Sequence, residues 1–123
     1  CAEAYCAGPA ISEDYFRLTG KRLEGKEIFA RIDTDEKAME VLKNYQSNLA
    51  YLLTSLRNIF DPDAIVIGGG IIHSKDIWWD GMIDNFKNYC NKPYNIEILP
   101  AKFLNDAGVI GAAKIAFERM TDE

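Results

Sequence analysis

The stretch Asp61-Pro62-Asp63-Ala64-Ile65-Val66-Ile67-Gly68-Gly69-Gly70 carries the strongest chemical signal in the sequence. A short β-branched run ends in three glycines, so backbone amides there can approach a ligand with no β-carbon in the way. Ligands of open α/β sheets sit beyond the carboxyl ends of strands. Gly68, Gly69 and Gly70 are therefore candidates to meet the ribose or phosphates of a nucleotide; a tight strand exit would use the same residues. The pattern is neither GxGxxG nor a P-loop. A second signal is Asn105-Asp106-Ala107-Gly108-Val109-Ile110-Gly111-Ala112-Ala113, where Gly108, Gly111 and Ala112 share one helical face. The amino end of that helix offers free amides and a partial positive charge suited to an anion. Close packing against a neighbouring helix is the alternative.

Cys1 and Glu3 form a weaker pair. Read alone, Cys1 is an inert thiol and Glu3 a solvated carboxylate, and Cys1-x4-Cys6 is not a usual zinc spacing. His73, the only histidine, reads as a loop residue beside the glycines. Trp78 and Trp79 read as packing residues, Lys75 and Lys102 as surface lysines. There is no Ser/His/Asp set and no HExxH. No residue stands out as a general base.

The elements that would hold these residues follow from periodicity. Pro9 suits the first turn of a helix with Ile11, Tyr15, Phe16 and Leu18 on its apolar side, stopped at Gly20. Gly25-Lys26-Glu27-Ile28-Phe29 reads as the start of a second short helix, ending before the polar cluster Asp33-Thr34-Asp35. From Asp35 to Phe60, apolar residues at Ala38, Leu42, Tyr45, Leu49, Leu52, Leu56 and Ile59 step by four and three, one face of a long helix. Asp35 is its N-cap candidate, and Asp61-Pro62 ends it. Ala64–Ile67 then reads as a strand covered on both faces of a parallel sheet. A helix from Asp76 to Tyr89, a strand from Tyr94 to Leu99 and a helix from Ala107 to Met120 capped by Asn105-Asp106 complete the chain. The alternation is an α/β layer pattern. Two strands make a poor sheet alone, so further strands are expected from another segment or another copy.

Composition narrows the class. The 123 residues, 48% hydrophobic and 27% charged, read as one modest soluble globular domain or a piece of a larger one, and exclude disorder. No apolar run approaches the ~20 residues of a membrane span. A net charge of −5 argues against a nucleic-acid surface built by this chain. Three cysteines cannot complete a disulfide framework, and reduced thiols in a cytoplasmic setting are expected. The chain opens on cysteine in mid-motif, as a piece of something longer would.

Three stretches in order, Cys1-Ala2-Glu3-Ala4-Tyr5-Cys6-Ala7-Gly8-Pro9-Ala10, then Asp61–Gly70, then Asn105–Ala113, give the chain a likeness across its whole length. It resembles the carboxyl-terminal half of ROK proteins, a family of bacterial sugar kinases and sugar-responsive repressors. The resemblance implies a helix-rich, partial actin-like, RNase H-like ATPase domain with a small, mostly parallel sheet, spanning 1–123 without its amino-terminal partner. It implies that Gly68, Gly69 and Gly70 are a nucleotide-contacting turn and that Glu3 accepts hydrogen bonds from sugar hydroxyls. Cys1 looks like the last cysteine of the family's structural Zn²⁺ site, CxCGxxGCxE with an upstream histidine. The other ligands would precede residue 1, so this chain alone should not hold the metal.

By the same resemblance, ATP and Mg²⁺ are the cofactors, and sugar and ATP the partners. The DxGxT phosphate loop and the catalytic aspartate belong to the absent half. The chain alone should therefore not catalyse phosphoryl transfer, which needs metal-phosphate positioning and a base. The expected function is the second half of a sugar kinase acting on a hexose or N-acetylhexosamine. The alternative is the sugar-sensing domain of a repressor, which would carry a helix-turn-helix upstream. A third reading is a non-catalytic assembly module, since a long apolar-faced helix can pair with a second copy. Apolar faces left exposed by the absent half lead to the expectation of a homodimer or other self-association.

Overall fold

The computed structural model describes residues 1–90, 96–102 and 107–121. The elements are α1 (Glu3–Cys6), α2 (Gly8–Thr19), α3 (Gly25–Phe29), α4 (Glu36–Phe60), β1 (Ala64–Ile67), a 3-10 turn (Gly70–Ser74), α5 (Lys75–Tyr89), β2 (Glu97–Pro100) and α6 (Ala107–Thr121). The expected order holds. Tyr94 and the Asn105-Asp106 cap lie outside the described residues, as do the side-chain surroundings of Gly108, Gly111 and Ala112.

Local chemistry explains the boundaries. Gly20 ends α2 in the left-handed conformation, its N–H donating to the Phe16 carbonyl at 2.7 Å. Glu24 and Glu27 close a capping box over α3. Asp35 caps α4 by accepting the amides of Lys37 at 2.9 Å and Ala38 at 3.4 Å. It also accepts the Tyr15 hydroxyl at 2.6 Å, which ties α2 to the start of α4. The Tyr15 hydroxyl, followed by those two amides, holds the Asp35 carboxyl below its ordinary range.

The buried stripe of α4 differs from the spacing that predicts it. Ala38, Val41, Leu42, Tyr45, Leu49, Ala50 and Leu53 are buried, whereas Ile59 is 72% exposed. A strict seven-residue repeat drifts about 20° per heptad around a straight helix. Leu56 and Ile59 have therefore turned away from the core, Leu52 packs half-buried at its edge, and Ala50 and Leu53 have turned into it.

β1 and β2 pair in parallel, with Ala64, Ile65, Val66 and Ile67 opposite Glu97, Ile98, Leu99 and Pro100. Ile65, Ile67 and Ile98 face the helical core. On the other face Val66 is 62% exposed and Leu99 is 42% exposed. The expectation of a strand covered on both faces is corrected: among the described residues, the helices cover one side only. β2 starts at Glu97, and its burial follows the expected alternation through Ile96 and Ile98. The described side chains of α6 are exposed, including Ile115, Phe117 and Met120.

The core sits between α4 and α5, closed by α2, α3 and the sheet. Trp78, Met82 and Phe86 of α5 are fully buried, and the Tyr45 ring meets Trp78 edge-on with centroids 5.6 Å apart. Gly81 leaves room for the Gln46 amide, which donates to the Trp78 carbonyl at 3.3 Å. The Tyr45 hydroxyl is buried with no hydrogen-bond partner among the described residues, and burial pushes its pKa well up. An unsatisfied buried hydroxyl costs about 1–3 kcal/mol. Tyr45→Phe should therefore hold or raise stability, by up to ~1 kcal/mol in urea denaturation. A clear loss of stability would show that the hydroxyl has a partner.

Candidate functional site

β1 carries the chain into the glycine turn, and β2 fixes where it leaves. The Ala101 N–H donates to the Ile67 carbonyl at 2.8 Å, just past the last paired residue. A β-carbon at Gly68 would come within 3.3 Å of the Ala101 β-carbon. Gly69 has φ 94° and ψ 178°, a backbone region that is essentially glycine-only. A β-carbon there would meet nothing within 4 Å, so the bare backbone of Gly69 faces open space. The chain then enters the 3-10 turn, where Ile72 is buried and its N–H donates to the Gly69 carbonyl at 3.2 Å.

Gly70, Ile71, His73 and Ser74 of this turn, with Ile77, form one wall of a groove of about 750 Å³. The opposite wall is the start of α2, at Gly8, Pro9, Ser12 and Glu13, and the start of α3, at Glu24, Gly25 and Lys26. Buried Ile11 and Phe29 give it an apolar base. The charges at the rim do not make an anion cradle. The Glu13 carboxylate is 3.0 Å from Arg22, and Glu24 is occupied in the capping box of α3. Lys26 shares the lining with these two carboxylates. An apolar base with a mixed polar rim suits an uncharged ring bearing hydroxyls better than a chain of phosphates.

The structure thus brings Gly70 to the groove wall, while Gly68 and Gly69 precede it in the turn and are not among the lining residues, and it does not bring every other candidate there. Glu3 is exposed in the first turn of α1 and is not part of the groove lining. Cys1 is a free, exposed thiol. Among the described residues no group of three or more His, Cys, Asp or Glu side chains converges. One thiolate does not make a tetrahedral zinc site, so the residues here do not fit that metal by themselves. A second groove of about 720 Å³ lies between α1, α2 and α4, where Asp14 accepts the Asn44 amide at 2.9 Å.

Sequence reasoning missed the Gly8-Pro9 and Glu24-Gly25-Lys26 walls. They lie more than forty residues before the glycines, and no spacing rule links them. His73, read as a loop residue, lies in the 3-10 turn and lines the groove. The turn itself makes a direct prediction. Gly69→Ala should cost about 1–3 kcal/mol of stability, because alanine cannot hold that backbone without strain. An unchanged urea midpoint would contradict the turn geometry.

The ROK family model matches residues 1–119. The chain is 26% identical to a glucokinase of Thermotoga maritima over 98% of its own length and 43% of the relative's. It is 32% identical to an N-acetylmannosamine kinase of Haemophilus influenzae over 92% of its length and 37% of the relative's. Among solved structures, a ROK hexokinase from Thermus thermophilus superposes with a TM-score of 0.83 at 26% identity, covering 100% of this chain and 42% of that one. A ROK family glucokinase from Streptomyces griseus, in complex with glucose and AMPPNP, shares the fold with a TM-score of 0.78 at 23% identity, over 94% of this chain and 44% of that one. The chain spans about two-fifths of the length of these relatives. The expected fold class, part of an actin-like ATPase with a small parallel sheet, is the one observed. With that match over residues 1–119, the chain belongs to the ROK family.

Proposed function

We propose that the chain is the carboxyl-terminal part of an ATP-dependent sugar kinase, which transfers a phosphoryl group from ATP to a hydroxyl of a hexose or N-acetylhexosamine. The observation that carries this reading is the glycine turn at the end of β1, whose Gly70 opens onto the groove between α2, α3 and the 3-10 turn. The relatives named above are kinases of glucose or an N-acetylhexosamine by name, and the Streptomyces griseus enzyme was solved with glucose and an ATP analogue. They favour the kinase reading over the repressor reading.

In this account Gly68, Gly69 and Gly70 admit the adenosine part of ATP against the apolar base of Ile11 and Phe29. Glu3 holds the sugar: an ionised carboxylate is acceptor-only, and its two oxygens take donors from adjacent hydroxyls. The phosphates, Mg²⁺ and the general base fall to residues outside this chain, in keeping with a groove rim that lacks excess positive charge. The chain by itself is then inactive, since phosphoryl transfer rests on positioning and charge stabilisation at the phosphates. Cys1 would act as a zinc ligand only together with ligands that this chain does not supply.

The full-length protein with Mg-ATP is expected to phosphorylate at least one member of a panel of hexoses and N-acetylhexosamines, read by coupled ADP release. Activity on none of them removes the kinase reading. In calorimetry on the same protein, Glu3→Ala should weaken sugar binding tenfold or more, on the scale of about 1.5–3 kcal/mol for hydrogen bonds to a charged group. Nucleotide binding should stay within about twofold. Unchanged sugar affinity takes Glu3 out of the site.

A further inference from the structure

We propose that Trp78 is the positioning residue of the groove: its indole fixes the Ile71 carbonyl and, through it, the wall formed by Gly70, His73 and Ser74. The inference rests on reading the groove as the adenosine site. A 3-10 turn is short and its hydrogen bonds are poorly aligned, so it does not hold its own direction. On its amino side the wall hangs from Gly69, whose missing side chain leaves the backbone the widest freedom. Something beyond the turn must set its angle.

Among its side-chain partners, the Ile71 carbonyl accepts the Ser74 hydroxyl at 3.0 Å and the Trp78 indole N–H at 3.1 Å. Ser74 belongs to the turn and moves with it, so it stiffens the turn without anchoring it. Trp78 lies in α5, fully buried, and is held from α4 in two ways. The Tyr45 ring packs against it edge-on, and the Gln46 amide donates to its backbone carbonyl. The chain of contact runs from α4 through Trp78 to Ile71 and the groove wall. Ile72, also buried, keeps the turn against the core through non-directional packing. The indole N–H adds direction, and a buried indole needs such an acceptor. Glu3 has no part in this chain, so the effect should fall on the nucleotide alone.

The test is Trp78→Phe in the full-length protein, which keeps an aromatic ring and deletes the donor. The KM for Mg-ATP should rise about two- to tenfold, the range set by one net hydrogen bond. The sugar KM and the kcat at saturating ATP should stay within about twofold, a split that general loss of structure would not give. A wild-type protein that binds no Mg-ATP overturns the reading of the groove. A wild-type protein that binds it, with an unchanged KM in the variant, overturns the positioning role alone. Should the variant fail to fold, the ¹⁵N-labelled indole of Trp78 in the wild type decides. Its resonance should shift on adding Mg-ADP, and an unmoved resonance overturns the proposal.

Discussion

The packing of α5 against α4 around Trp78 is the constraint on which the rest depends. β1 can deliver a glycine turn to a ligand only if the chain beyond the turn has somewhere fixed to go. Here it goes into a buried Ile72 and then into α5, whose Trp78, Met82 and Phe86 are sealed against the long helix. Side-chain-free backbone gives access, and access alone gives no definition. Definition comes from a fully buried tryptophan that satisfies its one donor on the same turn. The glycines and the tryptophan thus do opposite work a few residues apart.

The groove draws on two distant parts of the chain for a related reason. The first turns of α2 and α3 reach it because both helices pack against α4, the helix that also carries α5. The Tyr15–Asp35 hydrogen bond contributes to that hold, joining α2 to the N-cap of α4. Charge at the groove is balanced locally: Glu13 faces Arg22, and Glu24 serves the backbone of α3. In the kinase reading proposed above, such a surface would receive a base and a ribose and leave the phosphates to another part of the molecule.

Much of this was legible in the sequence, and the failures have physical causes. The helix ends at Gly20 and Asp61 were readable because left-handed glycine and a following proline act locally. The glycine turn was readable for the same reason. The buried stripe of α4 was only half readable, because a seven-residue repeat and a 3.6-residue helix part company over twenty-five residues. The exposed face of β1 was misread: Ala64–Ile67 is apolar on both sides, and local composition cannot say which side is covered among the described residues. The Glu24-Gly25-Lys26 wall and the role of Trp78 are tertiary facts. Neither has a periodic signature, and Trp78 looks like any core aromatic until its indole is seen on Ile71.

The central claim is that the bend after β1 receives adenosine. The most direct measurement is a crystal structure of the full-length protein grown with a non-hydrolysable ATP analogue and Mg²⁺. The account predicts the adenosine between the Gly68–Ser74 backbone and the first turns of α2 and α3, with its phosphates leading away from this chain. A well-ordered nucleotide bound elsewhere, with the groove left to solvent, would contradict it.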